Sequence, residues 1–281
     1  MTEPKTITII GPGAMAEAII AGLLRRQITT PERILASGPR ADRVKELHER
    51  YGIQAFTDNR EAARQGDVVI LAIKPQRLSK VLPALSGAIQ PHALVLSIIA
   101  GATIQTISER LEHAAVVRSM PNTPAQIGEG ITVWAASTAV SDEQRAEACS
   151  ILSALGQEVY VEEESYLDMA TALSGTGPAY VFMFMEALID AGVHMGFPRR
   201  IAEQLVVQTI LGSVSYYEKN KVHPAQLRNQ VTSPGGTTAQ ALYYLEKAGF
   251  RTALSRAIWA AYERSQELGK GLNATVPDNK E

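Results

Sequence analysis

The stretch TITIIGPGAMAEAIIAGLLRR, residues 6–26, decides the fold. Thr6–Ile10 is a short uncharged run of β-branched residues and reads as a strand, while residues 14–26 carry apolar side chains at helical spacing. Gly11, Pro12 and Gly13 stand between them. The first glycine permits a tight strand-to-helix turn, and the second lets the backbone approach a pyrophosphate seated on the N–H groups of the helix start. Ala16 takes the third position of this fingerprint and still allows close helix packing. Glycines at turns are common, so the pattern gains meaning from its place at the end of the first strand of an alternating domain.

That alternation continues outward. Thr6–Ile10, Ile34–Ser37, Val68–Ile73, Leu94–Ile98, Val116–Ser119 and Ile131–Ala135 are strand-like. Between them Ala14–Arg26, Ala41–Arg50, Arg77–Ser86, Ile104–Leu111 and Ser141–Leu155 are helical, which predicts βαβ units around a mostly parallel sheet. Runs such as VVILAI and ALVLSII are apolar on both faces, as a sheet covered by helices on each side requires. After Glu162-Glu163-Glu164 no strand-like run returns. A chain of 281 residues is long for one core, since single cores seldom exceed about 250–300 residues. The expectation is an α/β N-terminal Rossmann-like domain, residues 1–162, followed by an all-α domain, residues 163–281. In the second domain Val206, Ile210, Val214 and Tyr217 mark one helix face, and Pro198 after Gly196 marks a helix start. The helix PAYVFMFMEALIDAGVHM, residues 178–195, is apolar nearly all round and needs covering on every side. A second copy of the chain is the expected cover, with a central helix inside a monomer as the alternative.

Composition narrows the partners. The chain is 46% hydrophobic and 20% charged, as in a folded globular protein. With 27 Lys+Arg against 29 Asp+Glu, the net charge of −2 leaves no excess to neutralise nucleic acid or an anionic membrane. Glu17 and three glycines argue against an N-terminal secretory signal, and Glu186 and Asp190 argue against a lipid-facing 178–195 helix. The single cysteine, Cys149, cannot pair within the chain and reads as a small core residue. His48, His92, His113, His194 and His223 share no ligand spacing, so no metal is expected. The expected location is the cytoplasm.

The end of the second strand speaks to the nucleotide. An NAD site usually places Asp or Glu there for the ribose 2′-hydroxyl, but here the segment is Ala36-Ser37-Gly38-Pro39-Arg40. Ser37 can hydrogen-bond and Arg40 can pair with a 2′-phosphate, with Arg43 a second candidate, so NADPH is expected and NADH is the alternative. Ile73-Lys74 and Ala100-Gly101 also fall at strand carboxyl ends, where open α/β sheets bind ligands. In the helical half, Val231-Thr232-Ser233-Pro234-Gly235-Gly236-Thr237-Thr238 is a loop rich in N–H groups and hydroxyls leading into a helix, suited to a small carboxylate. The plainer reading of this loop is a turn with threonine caps.

Six segments together resemble the pyrroline-5-carboxylate reductase family: IGPGAMAEAI, LAIKPQ, RSMPNTPAQIGEG, ALSGTGPAYVF, GFPRRIA and QVTSPGGTTAQAL. The resemblance spans essentially the whole chain, and the last segment is the most specific. It implies reduction of the cyclic imine 1-pyrroline-5-carboxylate to L-proline by NAD(P)H, the last step of proline biosynthesis. It places the dinucleotide on Ile10, Gly11, Gly13, Ala14, Met15, Ser37, Asn59, Ile73, Lys74 and Ala100, to which the residue reading adds Arg40. It places the substrate on Gly235, Gly236, Thr237 and Thr238, beside which Ser233 lies in the same loop. It also implies a homodimer through the helical domain, with rings of dimers such as a homodecamer. Where the family often shows an aspartate before this loop, the chain has Asn229-Gln230. A protonated imine is already electrophilic, so the chemistry needs orientation, a held carboxylate and a neutral hydroxyl near nitrogen. Thr238 is the candidate for that hydroxyl; Glu164 is assigned no role. Two rivals stand at this point: a reductase or dehydrogenase of hydroxy acids using Lys74 or another lysine as acid, and a regulatory protein that senses NADP(H).

Overall fold

The computed structural model describes residues 5–273, so the outermost ends of the two expected domains, residues 1–4 and 274–281, lie outside the described residues. In chain order the first elements are β1 (Ile7–Ile10), α1 (Ala14–Arg25), β2 (Ile34–Ser37), α2 (Ala41–Tyr51), β3 (Gln54–Phe56), α3 (Asn59–Ala63) and β4 (Val68–Leu71). Then come α4 (Leu78–Leu85), β5 (Leu94–Ser97), α5 (Ile104–Leu111), β6 (Val116–Met120), β7 (Gly130–Ala136), α6 (Asp142–Ser153) and β8 (Gly156–Tyr160). Among the described residues the strands form one sheet ordered β3-β2-β1-β4-β5-β6-β7-β8. Every neighbouring pair is parallel except β6 with β7.

The apolar runs explain the layering. Side chains alternate across a strand, so Val68 and Ile70 enter the core beneath α1 and α6 while Val69 and Leu71 enter the core beneath α4 and α5. Leu94 and Leu96 divide from Val95 in the same way. Both faces are therefore dry, and β1, β2, β4 and β5 are buried throughout. β3 and β8, at the two edges of the sheet, were not expected from the sequence. Their residues, Gln54-Ala55-Phe56 and Gly156-Gln157-Glu158-Val159-Tyr160, are half-buried or exposed, because an edge strand needs no continuous apolar run. Between β1 and β4 the strand order reverses, which opens a crevice at the carboxyl ends of these strands.

The remaining elements are helical: α7 (Tyr166–Ala170), a π-helical turn over Thr171–Gly175, α8 (Gly177–His194), α9 (Arg199–Asn220), α10 (Pro224–Gln230), α11 (Thr237–Lys247) and α12 (Phe250–Asn273). The chain packs as two compact units, one running through Thr176 and resuming at Ala261, the other Gly177–Ala260. The strands do end by Tyr160, near residue 162. The compact sheet unit nevertheless takes in α7, the π turn and the end of α12: Ser265 Oγ donates to Asp168 at 2.8 Å, and a Cβ on Gly101 would stand 2.9 Å from the Gly269 nitrogen.

In the Gly177–Ala260 unit α8 packs on α9, with Gly192 against Ala202, and these are the only buried residues among those described there. Phe182, Met183 and Trp259 are 61, 73 and 62% exposed. The helical run Tyr166–His194 is long and apolar enough, by length and composition, to cross a membrane.

Candidate functional site

The β1–α1 turn is built around Gly11, at φ +99°, whose N–H donates to the Ser37 carbonyl at 2.9 Å. A Cβ there would stand 2.8 Å from both the Ala72 oxygen and Ile73 Cγ2, so only glycine fits. Pro12 lies against Gly38 so closely that Gly38 has no room for a Cβ either. Gly13 is extended, with open space where its Cβ would be, and no side chain caps α1. The first N–H groups of α1 therefore lack a side-chain cap and stand at the positive end of the helix dipole. This is the geometry a pyrophosphate requires, so these residues fit a dinucleotide.

No carboxylate stands at the end of β2. Ser37 is fully buried, and its hydroxyl donates to Asn59 Oδ1 at 2.8 Å, which leaves the Asn59 amide nitrogen to point elsewhere. Asp58 accepts from Arg60 N and Glu61 N and so caps α3. Arg40 is exposed at the start of α2. Arg43, expected as a second phosphate ligand, is committed elsewhere: its Nε donates to the Pro12 carbonyl at 3.0 Å, and its other nitrogens pair with Glu17 and with Glu46 at 2.8 Å. The reason is spacing, since one helical turn beyond Arg40 brings Arg43 back over α1. Hydrogen bonds to Glu46 and Glu17 hold its guanidinium further in the charged form. Burial works against ionisation of Glu17, yet hydrogen bonds from Arg43 and Tyr51, with the charges of Arg43 and Arg50, hold its carboxyl below the usual range. Arg43 is thus a strut behind the glycine turn.

At the neighbouring strand ends, Ala72 N donates to Ile10 O and Ile98 N donates to Leu71 O, which carries the backbone straight off the sheet. Ile73 and Ala100 are half-buried at these ends and Lys74 is exposed. The carboxyl ends of β1, β2, β4 and β5 thus gather Ile10, Gly11, Gly13, Ala14, Met15, Ser37, Arg40, Ile73, Lys74 and Ala100, with Asn59 joined through Ser37.

The expected substrate residues sit together on one loop of the helical unit. Gly235 has φ +71°, and Gly236 N donates to Ser233 O at 3.1 Å. Gly236 is the residue just before α11, and no side chain caps that helix. Thr232 does form a local bond, from Oγ1 to Arg228 O at 2.7 Å, but this closes the end of α10 and leaves the start of α11 free. Thr237 is exposed and Thr238 half-buried on the first turn. A cavity of about 600 Å³ in this unit lies elsewhere, among Leu242, Leu245, Phe250, Leu254, Ile258 and Trp259, and continues the exposed apolar surface.

The sheet unit also holds a polar cluster that was not expected from the sequence. Arg118 on β6, its side chain 4% exposed, pairs with Glu164 at 2.9 Å and Asp168 at 3.1 Å. Asn122 donates to Ser174 O in the π turn and accepts from Ile131 N. The sequence marked this place by the segment RSMPNTPAQIGEG, whose arginine and asparagine stand at the end of a strand, without showing what they bind.

Residues 164–268 match the family model described as pyrroline-5-carboxylate reductase dimerisation, and residues 6–101 match the model described as NADP oxidoreductase coenzyme F420-dependent. A pyrroline-5-carboxylate reductase of Synechocystis is 46% identical over 262 residues, covering 93% of this chain and 97% of that protein. The structure of a pyrroline-5-carboxylate reductase from Coxiella burnetii superposes with a TM-score of 0.86 at 37% identity, covering 95% of this chain and 99% of that one. A pyrroline carboxylate reductase of Plasmodium falciparum with NADP bound superposes with a TM-score of 0.88 at 33% identity, covering 96% and 100%.

Proposed function

The chain belongs to the pyrroline-5-carboxylate reductase family, and on that premise we propose that it reduces 1-pyrroline-5-carboxylate to L-proline, the last step of proline biosynthesis. It is an oxidoreductase acting on a C=N bond with NAD(P)H. The observation that carries the reading is a pair of uncapped helix starts, that of α1 behind Gly13 and that of α11 behind Gly236, one for each anion the reaction must hold. The absent carboxylate at the end of β2 and the exposed Arg40 favour NADPH over NADH.

Bound NADPH supplies the hydride that reduces the imine carbon. The protein's part is to hold. The N–H groups and hydroxyls of Ser233, Gly235, Gly236 and Thr237 take the substrate carboxylate. The Thr238 hydroxyl hydrogen-bonds the ring nitrogen without adding a positive charge beside the iminium. Ile73, Lys74 and Ala100 flank the nicotinamide end of the crevice, and the sheet unit and the Gly177–Ala260 unit divide the work between nucleotide and substrate.

The helical unit buries almost nothing of its own, so its apolar faces need a partner; a second copy supplies it, in a cytoplasmic homodimer, and dimers assemble into rings such as a decamer. A second reading, in which Tyr166–His194 spans a membrane, would need Asp168, Glu186 and Asp190 in lipid. The functional test is NADPH oxidation with pyrroline-5-carboxylate, with a 2-keto acid and with no addition. Turnover of the imine alone is expected; turnover of the keto acid, or of neither, overturns the reading. Loss of activity on dilution, in step with dissociation of a detergent-free dimer, is the expected mark of the assembly.

A further inference from the structure

We propose that Glu164, held in place by Arg118, is a positioning residue for the turn between β5 and α5. It sets where the nicotinamide-flanking backbone at Ala100 lies. The proposal rests on the functional reading above.

One oxygen of Glu164, Oε1, accepts from two donors, Arg118 Nη1 at 2.9 Å and the backbone N–H of Ile104 at 2.8 Å. Ile104 is the first residue of α5, and its N–H is one of the donors a helix start leaves without a backbone partner. The Thr103 hydroxyl serves Thr106 N at 3.1 Å, so Glu164 takes a donor that this cap does not reach. The other end of the turn is fastened as well. Ser119 Oγ donates to Ser97 O at 3.1 Å, and Ser97 Oγ accepts from Ile99 N at 3.2 Å. In the middle Gly101, at φ +76°, lies against the backbone of Gly269. The turn is thus tied on both sides of Ala100 and backed in the middle.

Arg118 is too buried to stand without a counterion. Asp168 supplies one, and among the described residues the other side chain on its Oδ1 is Ser265, on α12 rather than on the turn. The two carboxylates therefore have separable roles. Asp168 balances the charge of Arg118 and anchors α12, whereas Glu164 passes the position of Arg118 on to the α5 start.

The experiment compares Glu164→Ala, Glu164→Gln and Asp168→Asn. In Glu164→Ala, hydrogen exchange across residues 98–104 of the cofactor-free protein is expected to quicken. Turnover is expected to fall by roughly 10–100-fold, the cost of a small misplacement of reacting groups, while the NADPH dissociation constant stays within about threefold. With 4-deuterated NADPH the isotope effect on turnover is expected to rise. Glu164→Gln keeps an oxygen for Ile104 N–H and should restore both exchange and turnover to within about threefold. Asp168→Asn should lower the Tm yet leave exchange at 98–104 and the isotope effect unchanged. Unaltered exchange across 98–104 in Glu164→Ala, or equal kinetic losses in Glu164→Ala and Asp168→Asn, would overturn the proposal. A parent protein inactive on the imine would instead overturn the functional reading, so the two failures are told apart.

Discussion

Two glycines two residues apart should respond differently to the same added methyl group. At Gly11 an alanine Cβ would meet the Ala72 oxygen and Ile73 Cγ2 at 2.8 Å, on a backbone at φ +99°. The left-handed conformation costs about 1–2 kcal/mol, and relieving overlap with a neighbouring main chain costs about 1–3 kcal/mol more. Gly11→Ala is therefore expected to lose roughly 2–5 kcal/mol in stability and to weaken NADPH binding as the turn opens. At Gly13 the backbone is extended and nothing lies within 4 Å of the added Cβ. The change in stability should stay within about 1 kcal/mol, a gain in backbone stiffness offsetting a poorer cap. If the open space beside Gly13 is where the pyrophosphate sits, the methyl group displaces it from the α1 N–H groups. Losing one such charged hydrogen bond, at about 1.5–3 kcal/mol, weakens NADPH by roughly 10–150-fold. Fluorescence titration with NADPH and thermal melts of both variants provide the assay. Gly13→Ala that melts like the parent and binds NADPH as tightly would refute the placement of the pyrophosphate.

Thr238→Ala should lower turnover of pyrroline-5-carboxylate roughly 10–100-fold, the loss of one transition-state hydrogen bond, with NADPH binding intact; turnover within about twofold of the parent would remove Thr238 from the mechanism. Arg40→Ala should reduce the preference for NADPH over NADH by about tenfold. Arg43→Ala should instead lower the Tm, because it unties Glu17 and Pro12, and should shift that preference far less. Burial pushes the His113 imidazole below its ordinary range, with the Ala93 carbonyl offsetting part of the effect. The folded protein thus keeps His113 neutral while the unfolded chain takes up a proton below about pH 6.5, so stability falls as the pH drops from that value toward the folded one. His113→Gln should flatten that part of the profile in denaturant melts at about pH 7.5 and 5.5.

What could be read from the sequence was what short-range physics dictates. Two-sided apolar runs such as VVILAI force a covered parallel sheet, and a glycine-bearing turn at the first strand end marks the crevice, whereas most of the single residues proposed along it, from Ile10 to Ala100, rest on the family resemblance. The absence of a carboxylate after β2 could be read the same way, and so could the N–H-rich loop at Gly235-Gly236, but that no threonine caps the helix behind it is a matter of side-chain geometry. Long-range pairing was not legible. Ser37 and Arg43 carry the right chemistry for a phosphate, yet their partners, Asn59 on one side and Glu17 with Pro12 on the other, are set by how α3 and α2 come back to the first strand. The edge strands β3 and β8 escaped because an edge demands no apolar pattern, only a neighbour to bond. The link from Arg118 through Glu164 to Ile104 joins residues up to 60 positions apart. No local pattern encodes it, since a hydrogen bond to a helix start depends on where the acceptor's own helix is laid down.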